Sequence, residues 1–450
     1  MRVDHWMLFA TFAEQRHFEY PRKGTYHGVV INANMAAHAP AGLAAFLLEK
    51  TAGMNYLVDP LTHAFQHDPE VLCNEDGEPK PALRNLADLY GEPVADRVGR
   101  QPVLPRHFAD DDVLRGFTER CIRFQCDHLL GYMRSSEAAK YLDEHEAQLP
   151  PYAVIAPYFF LAETTIKDWL PICARSVRFA REAADRFRAK RVFASIVASQ
   201  GVLADDVARG AIARTFLETG ADGYILWVDD LDERTASKHV LNGLLGLTEM
   251  LRCDRQREVI NLHGGYFSVL AAGSVGAGRY FTGVAHGPEF GEYRGVIPVG
   301  GGIPIARYYV PRLHARVRYR DALRLFTSMD CLRNAERFHE KICGCEECRS
   351  VLEGDVMNFV RFGEGSVKSV RRRHGIVRIE FPFRETKLRC LRHYLQRKRL
   401  EYEAAGTLDA SDLLDELRKG AEEYENFAGL EGVSHLRLWP EVLSQARTKE

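Results

Sequence analysis

The chain lacks a net charge, an apolar run long enough for a membrane span, and a cysteine framework. Lys and Arg number 60 against 62 Asp and Glu, so bulk charge names no partner and any electrostatic recognition must be local. No stretch approaches the ~20 apolar residues that a bilayer requires. The start, MRVDHWMLFATFAEQRH, is broken by His, Glu and Arg, so a secretory signal is not expected. Ten cysteines in 450 residues do not make a disulfide scaffold; the expectation is a cytoplasmic protein with reduced, mostly buried thiols and no membrane partner. No internal repeat appears either. What remains is the composition of a soluble globular protein, long enough for one large or two ordinary domains.

Three of the cysteines are not scattered. The stretch KICGCEECRSVLEG places Cys343, Cys345 and Cys348 within six positions. Neighbours this close are poorly placed to pair with one another, whereas three thiolates on a tight turn suit Zn2+, which takes four soft or borderline ligands in a tetrahedron. Gly344 lets the chain bend between the first two sulfurs. The fourth ligand must come from elsewhere, with His374 and His393 as candidates. Such a closed site leaves no position for water, so the zinc is expected to be structural. A chance cluster of free thiols is the alternative.

Short β-branched or aromatic runs at 28–35, 55–60, 152–160, 191–199, 223–230, 258–265, 279–287 and 306–311 alternate with helix-like stretches. Apolar strands alternating with helices predict parallel strands covered on both faces. Eight such units predict an α/β fold of the (β/α)8 TIM-barrel type, with an open doubly wound sheet as the rival. Residues 66–150 are too long for a plain connection and read as a helical insertion after the second of these strands. The alternation stops after 330. The expected division is therefore a barrel over 1–330 and a zinc-binding basic module with C-terminal helices over 331–450.

Barrel chemistry sits at the C-terminal ends of strands. Those ends carry Asp59, Glu163, Gln200, Asp229 with Asp230, His263, and His286 with Glu289. A partly desolvated carboxylate has its pKa raised and can serve as a general acid or base; helix N-capping is the structural alternative for each. Residues 361–400 hold thirteen Lys or Arg against three Glu. They include Arg371, Arg372 and Arg373, then Arg397, Lys398 and Arg399, interleaved with Phe381, Phe383 and Tyr394. This predicts a local phosphate-binding face, against the alternative of a solvated charged helix.

The cysteine cluster after a barrel resembles the tRNA-guanine transglycosylase superfamily, which exchanges guanine for a 7-deazaguanine in nucleic acid. VFASIVASQGVLADDVARGAIARTFLETGADGYILWVDDLDE (192–233) resembles the family stretch in which a Gln-Gly after one strand leads through a helix to a Gly-Tyr strand; Gln200, Gly201 and Glu233 fall in place. FFLAETT resembles its Asp-Glu-Cys segment, with Glu163 retained and Ala162 in place of Asp. LVDPLTHAFQ resembles the segment that carries the family's general acid/base, here Asp59, with Phe65 following. INLHGGYFSVLAAGSVGAGRYFTGV resembles the stretch before its nucleophilic aspartate, but Tyr280–Gly283, where that aspartate is expected, holds no carboxylate.

The resemblance implies a divergent enzyme exchanging or modifying a guanine or 7-deazaguanine base in tRNA or DNA. Asp59 would be the acid/base and Asp229 or Glu289 the replacement nucleophile. Glu163, Gln200, Gly201 and Glu233, together with Asp229, would meet the base edge, and Phe65 and His263 would be placed to stack on it. It also favours His393 over His374 as the fourth zinc ligand. The alternatives are a non-catalytic nucleic-acid-binding relative acting as a subunit of a homo- or hetero-dimer, and a barrel enzyme on a small nucleoside or sugar.

Overall fold

The computed structural model describes residues 2–18, 25–51, 53–135, 150–253, 256–289, 291–297, 305–372 and 375–447. Among these, no helix is long and apolar enough to cross a membrane, and all ten cysteines are free thiols. The chain divides into two compact units. One is Val3–Ala272 with Gly276–Pro298; the other is Val299–Glu450 with Met1–Arg2 and Gly273–Val275.

The first unit is a nearly closed parallel barrel. Its strands are β1 (Asp4–Phe9), β2 (Gly28–Asn32), β3 (Asn55–Asp59), β4 (Val154–Ile155), β5 (Phe160–Leu161), β6 (Val192–Ala198), β7 (Gly223–Val228), β8 (Glu258–Asn261) and β9 (Gly283–His286). They run in the order β3-β2-β1-β9-β8-β7-β6-β4, and β5 also pairs with β6, so β4 and β5 share the fourth of eight positions. The ring is brought together where Tyr152 N–H donates to the Tyr56 carbonyl at 2.8 Å.

Period-two alternation sorts the side chains. Trp6, Leu8, Val30, Leu57, Phe193, Val197, Ile225, Trp227, Ile260 and Ala285 fill the barrel interior. Their neighbours Val29, Ile31, Val58, Ile196, Leu226 and Val259 are equally buried, as expected for a sheet covered on both faces. Large rings plug the barrel foot opposite glycines: a Cβ on Gly28 would stand 2.4 Å from the Trp6 ring, and one on Gly223 2.6 Å from that of Phe193.

Two sequence expectations change here. The run at 306–311 is not a barrel strand: β10 (Arg307–Val310) pairs antiparallel with β11 (Ala315–Arg318) in the second unit. Its place in the barrel is taken by β1, whose His5 and flanking acidic and basic residues hid five consecutive buried side chains. The helical insertion therefore follows the third barrel strand, not the second. It comprises helices Pro81–Tyr90, Asp111–Arg123 and Leu129–Ser135 with shorter turns between them; residues 136–149 lie outside the described ones.

The second unit carries the cysteine turn, a helix Glu346–Leu352, an antiparallel ribbon of β12 (Gly365–Arg372) and β13 (Gly375–Pro382), and the long helices Arg384–Thr407 and Ala410–Arg447.

Candidate active site and metal centre

The same alternation that buries Leu57 and Trp227 aims Asp59 and Asn32 toward the barrel mouth, one step beyond the apolar layer. There a cavity of about 200 Å³ is lined by Asn32, Asn34, Asp59, His63, Trp227, His263 and Arg294, with Leu72, Lys80 and Leu83 of the insertion on one side. Asp59 is 4 % exposed. Its Oδ1 accepts from the Tyr158 hydroxyl at 2.6 Å and from Leu61 N–H at 3.1 Å. Burial pushes its carboxyl up to about 6, against the opposing pull of the Tyr158 and Leu61 hydrogen bonds and the Arg294 charge. A carboxyl of that strength changes protonation close to neutrality, which general acid–base work needs.

The two histidines of the cavity are neutral. Burial, then the charges of His67 and Arg294, bring His63 down to about 3, and burial with Arg294 and His63 holds His263 well below its usual value. The His63 ring stacks on Tyr158 at 5.4 Å between centroids, and His263 packs at 4.8 Å on Trp227. Among the described residues, the Nδ1 of His63 and the Oδ1 of Asn34 are buried without a hydrogen-bond partner. Leaving such groups unmade costs ~1–3 kcal/mol each, a cost that a polar ligand in the cavity would relieve.

The remaining expected site residues are spread more widely. Asp229 is half-buried beside the mouth, and its Oδ1 accepts from Val296 N–H at 2.8 Å. Gln200 is a positioning group, its Nε2 donating to the carbonyls of Asp229 and Asp230 at 3.2 and 3.1 Å. Glu233 is buried next to the first turn of helix Tyr266–Ala272, accepting from the N–H of Ser268 at 3.3 Å and from its hydroxyl at 2.5 Å. Burial takes Glu233 up to about 7, with the nearby Glu292 adding to it.

Glu163 and Gly201 are exposed and lie together on the outside of the barrel; Glu163 lines a hollow with Lys167, Arg175 and Arg178 instead of the cavity. Phe65 is 1 % exposed, with its ring 6.4 Å from that of Tyr90; its burial leaves no face for a ligand. His286 is fully buried on the outer side of β9, its ring 4.9 Å from that of His5.

Tyr280–Thr282 precede β9 and so stand at the barrel foot, where Thr282 N–H bonds to the Val259 carbonyl. The first carboxylate after β9 is Glu289, whose backbone N–H reaches the Glu14 carboxyl. Glu14 itself is fully buried after β1 and pushed up to about 7, chiefly by burial. Sequence reasoning missed Glu14 because β1 was missed. It missed Arg294 because loop arginines carry no pattern. His63 had a signal, since it falls four residues beyond the end of an apolar strand.

The second unit holds the other polar centre. Cys343, Cys345, Cys348 and His393 are all buried, with ligand atoms within 4.8 Å of one another. His393 Nδ1 is 3.9, 3.3 and 3.4 Å from the three sulfurs. A tetrahedral zinc with ordinary bond lengths would set these separations at about 3.6 Å, so the four residues fit a metal ion. His393 Nε2 is 2.7 Å from the Tyr309 carbonyl. Donating there leaves Nδ1 as the ligand atom, the arrangement that fixes a metal-binding imidazole.

Tyr308 stacks on the His393 ring at 4.2 Å, and its hydroxyl lies 3.1 Å from Cys348 Sγ. His393 lies in the third turn of the helix Arg384–Thr407. His374 lies outside the described residues.

The basic residues divide. Lys398 is 1 % exposed and its ammonium sits 2.8 Å from Glu401, which His314 Nδ1 also approaches at 2.7 Å. It is a buried ion pair and cannot reach a phosphate. Arg397 is half-buried, and the negative groups of Cys343 and Glu401 keep it charged against its burial. Arg399 reaches Glu403 at 3.5 Å along its own helix. The 397–399 run is thus largely internal wiring of the helix. Arg371 and Arg372 have their backbone in β12; their side chains, and all of Arg373, lie outside the described residues.

The fold and its two centres define a parallel α/β barrel protein with a Cys3His group able to hold a metal ion. The chain matches no protein-family model, and no curated protein matches it in sequence.

Proposed function

We propose that this chain is a divergent guanine-transglycosylase-like enzyme that exchanges or modifies a guanine base in nucleic acid, with structural Zn2+ on Cys343, Cys345, Cys348 and His393. The observation that carries this reading is Asp59: a carboxyl at the end of a barrel strand, in a cavity suited to one planar heterocycle, titrating near 6. A carboxylate attacks C1′ of the nucleotide, forming an ester as the glycosidic bond breaks; the electron pair leaves with the base, which takes a proton from Asp59. Return of a different base reverses each step, with Asp59 now accepting the proton. Glu289, the first carboxylate after β9, or Asp229 supplies the nucleophile. Arg294 offsets negative charge beside Asp59, and the neutral His63 and His263 offer hydrogen bonds to the base. The metal, when bound, contributes no chemistry to these steps and ties the helix bearing His393 to the cysteine turn.

The test is incubation with labelled guanine and either tRNA or DNA, followed by denaturing electrophoresis for incorporated label and for a protein–nucleic acid adduct. A non-catalytic subunit is the second reading. What favours it is that neither Asp229 nor Glu289 lines the cavity that holds Asp59; wild-type protein inert with every base and nucleic acid offered would select it.

A further inference from the structure

Beyond β1 the chain enters the short 3-10 helix Phe12–His17, which starts after Thr11. A glutamate three residues after a threonine is the ordinary capping box, in which the carboxyl accepts from the N-cap N–H. Glu14 does so, its Oε2 accepting from Thr11 N–H at 3.1 Å. It also does more. The same oxygen accepts from Ala10 N–H at 2.7 Å, and the carboxyl accepts from the backbone N–H of Glu289 in the loop after β9. A capping glutamate usually stands at the surface, whereas Glu14 is fully buried. Burial, offset by these three backbone bonds, takes its carboxyl up to about 7. Glu14 also faces Arg294, whose charge it and Asp59 support against burial.

The partner loop is closely held too. β1 and β9 pair in parallel from Asp4 opposite Gly283 to Met7 opposite His286, and the same offset sets Ala10 level with Glu289. After β9 the chain turns back on itself. Gly287 N–H donates to the Gly291 carbonyl at 3.0 Å and Gly291 N–H to the Gly287 carbonyl at 2.9 Å, and Gly291 takes a φ of 86°, which favours glycine. Gly287, Ala10 and Arg294 line the cavity that holds Asp59. Glu289, two residues past Gly287, is half-buried.

We infer that Glu14 is a positioning residue whose carboxyl locks the turn after β9 to the loop after β1, and that this lock sets Glu289, not Asp229, as the group that attacks C1′. The inference rests on the proposed function for the existence of an exchange reaction and assigns its nucleophile. A base seated in the cavity holds its sugar at the rim, so a nucleophile for C1′ belongs beside the cavity and not among its lining residues. Asp229 has one oxygen engaged with Val296 N–H at 2.8 Å, and its carboxyl serves to hold that loop. Glu289 is held through its main chain, so its placement does not depend on its carboxylate. A carboxylate oxygen of Glu289 bonds to C1′ as the C1′–N bond breaks; the electron pair leaves with the base, which Asp59 protonates. Below pH ~7 Glu14 is neutral and adds no second negative charge beside that step.

The test uses full-length, metal-loaded wild type, Glu14→Ala, Glu14→Gln and Glu289→Gln. Adduct formed with tRNA or duplex DNA is digested, and the modified carboxylate is located by peptide mass spectrometry. Values of kcat and KM for labelled guanine are referred to folded protein, and hydrogen exchange of the Glu289 amide is followed in wild type and both Glu14 variants. The expected adduct lies on Glu289 and is lost in Glu289→Gln. Glu14→Ala should slow kcat roughly 10²-fold, the cost of a misplacement of ~1 Å, with KM nearly unchanged and faster exchange of the Glu289 amide. Glu14→Gln keeps the side-chain volume and one acceptor oxygen, so it should show the same changes to a smaller degree, and it keeps the test decisive if the alanine variant fails to fold.

An adduct on Asp229, or kcat and Glu289 amide exchange unchanged in the Glu14 variants, would overturn the inference while leaving the enzymatic reading in place. Wild type inert with both nucleic acids removes the enzymatic reading and the nucleophile with it. The lock is then decided by the Glu289 amide alone, upheld by faster exchange in the Glu14 variants and overturned by unchanged exchange.

Discussion

The barrel mouth and the Cys3His group are both buried and polar, but they are finished to different degrees. Around His393 each donor is held: Nε2 by the Tyr309 carbonyl, the ring by Tyr308, and two of the cysteine sulfurs by backbone N–H groups at 3.5 Å. Only an ion is needed to complete that site. At the mouth, Asn34 Oδ1 and His63 Nδ1 have no hydrogen-bond partner among the described residues, and Asp59 and Glu14 are carboxyls displaced toward neutrality. One centre is arranged for permanence. The other keeps groups in states that cost stability, which is the usual signature of a site that works on something transient.

The largest effect expected is on the first centre. Metal analysis should find about one equivalent per chain, and Cys348→Ser or His393→Ala should abolish it while His374→Ala leaves it in place. Structural zinc sites contribute apparent binding energies on the order of 10 kcal/mol to folding, so a strong chelator should melt the second unit well below its metal-loaded transition. Less than a tenth of an equivalent in protein purified without chelator would remove the contrast between the two centres.

Next in size is Lys398→Met. If Lys398 is internal wiring, its loss strands the Glu401 carboxylate, which is 4 % exposed, and breaking a buried pair costs ~3–5 kcal/mol. Denaturant unfolding should show that loss with nucleic-acid affinity unchanged in the folded protein. The reverse pattern would return Lys398 to the phosphate-binding face.

The mouth should reveal itself through pH. The Asp59 carboxyl is raised from 3.8 to about 6, so between those values the folded state holds a proton that the unfolded chain releases. Its stabilising contribution is complete below pH ~4 and is lost as pH rises through ~6, an effect of at most ~3 kcal/mol for a shift near two units. Asp59→Asn escapes that loss. The stability difference between variant and wild type should therefore grow in favour of the variant from pH 4 to pH 7, and a pH-independent difference would mean that Asp59 is not displaced. The smallest effect belongs to Arg399→Ala: its pairing with Glu403 at 3.5 Å is partly exposed and should be worth under ~1 kcal/mol by thermal unfolding.

The two centres were also unequally legible in the sequence. Three cysteines in six positions are local information, and they could be written down from the chain alone; the choice of His393 over His374 came only from the family resemblance. The barrel mouth is assembled from strand ends distant in the chain. Asp59 was visible because an acid directly after an apolar strand breaks a pattern. Glu14 was not, because β1 reads as an interrupted apolar start, and Arg294 was not, because it lies in a loop that only the closed ring brings to Asp59. Counting strands by composition admitted Arg307–Val310, whose apolar run is buried in a hairpin of the other unit, since periodicity reports burial and not the sheet a strand joins. Charge counting likewise merged Lys398 with exposed cations, because composition cannot distinguish a solvated helix face from a buried pair.

The most direct test of the central claim is base exchange by wild type and Asp59→Asn side by side, with labelled guanine, tRNA and duplex DNA, and with metal content measured on the same preparations. The account predicts label incorporated by the wild type and a 10²–10⁴-fold slower rate in the variant, the usual cost of a lost general acid/base, at equal metal content. Equal rates in the two proteins, or no incorporation by the wild type into either nucleic acid, would contradict it.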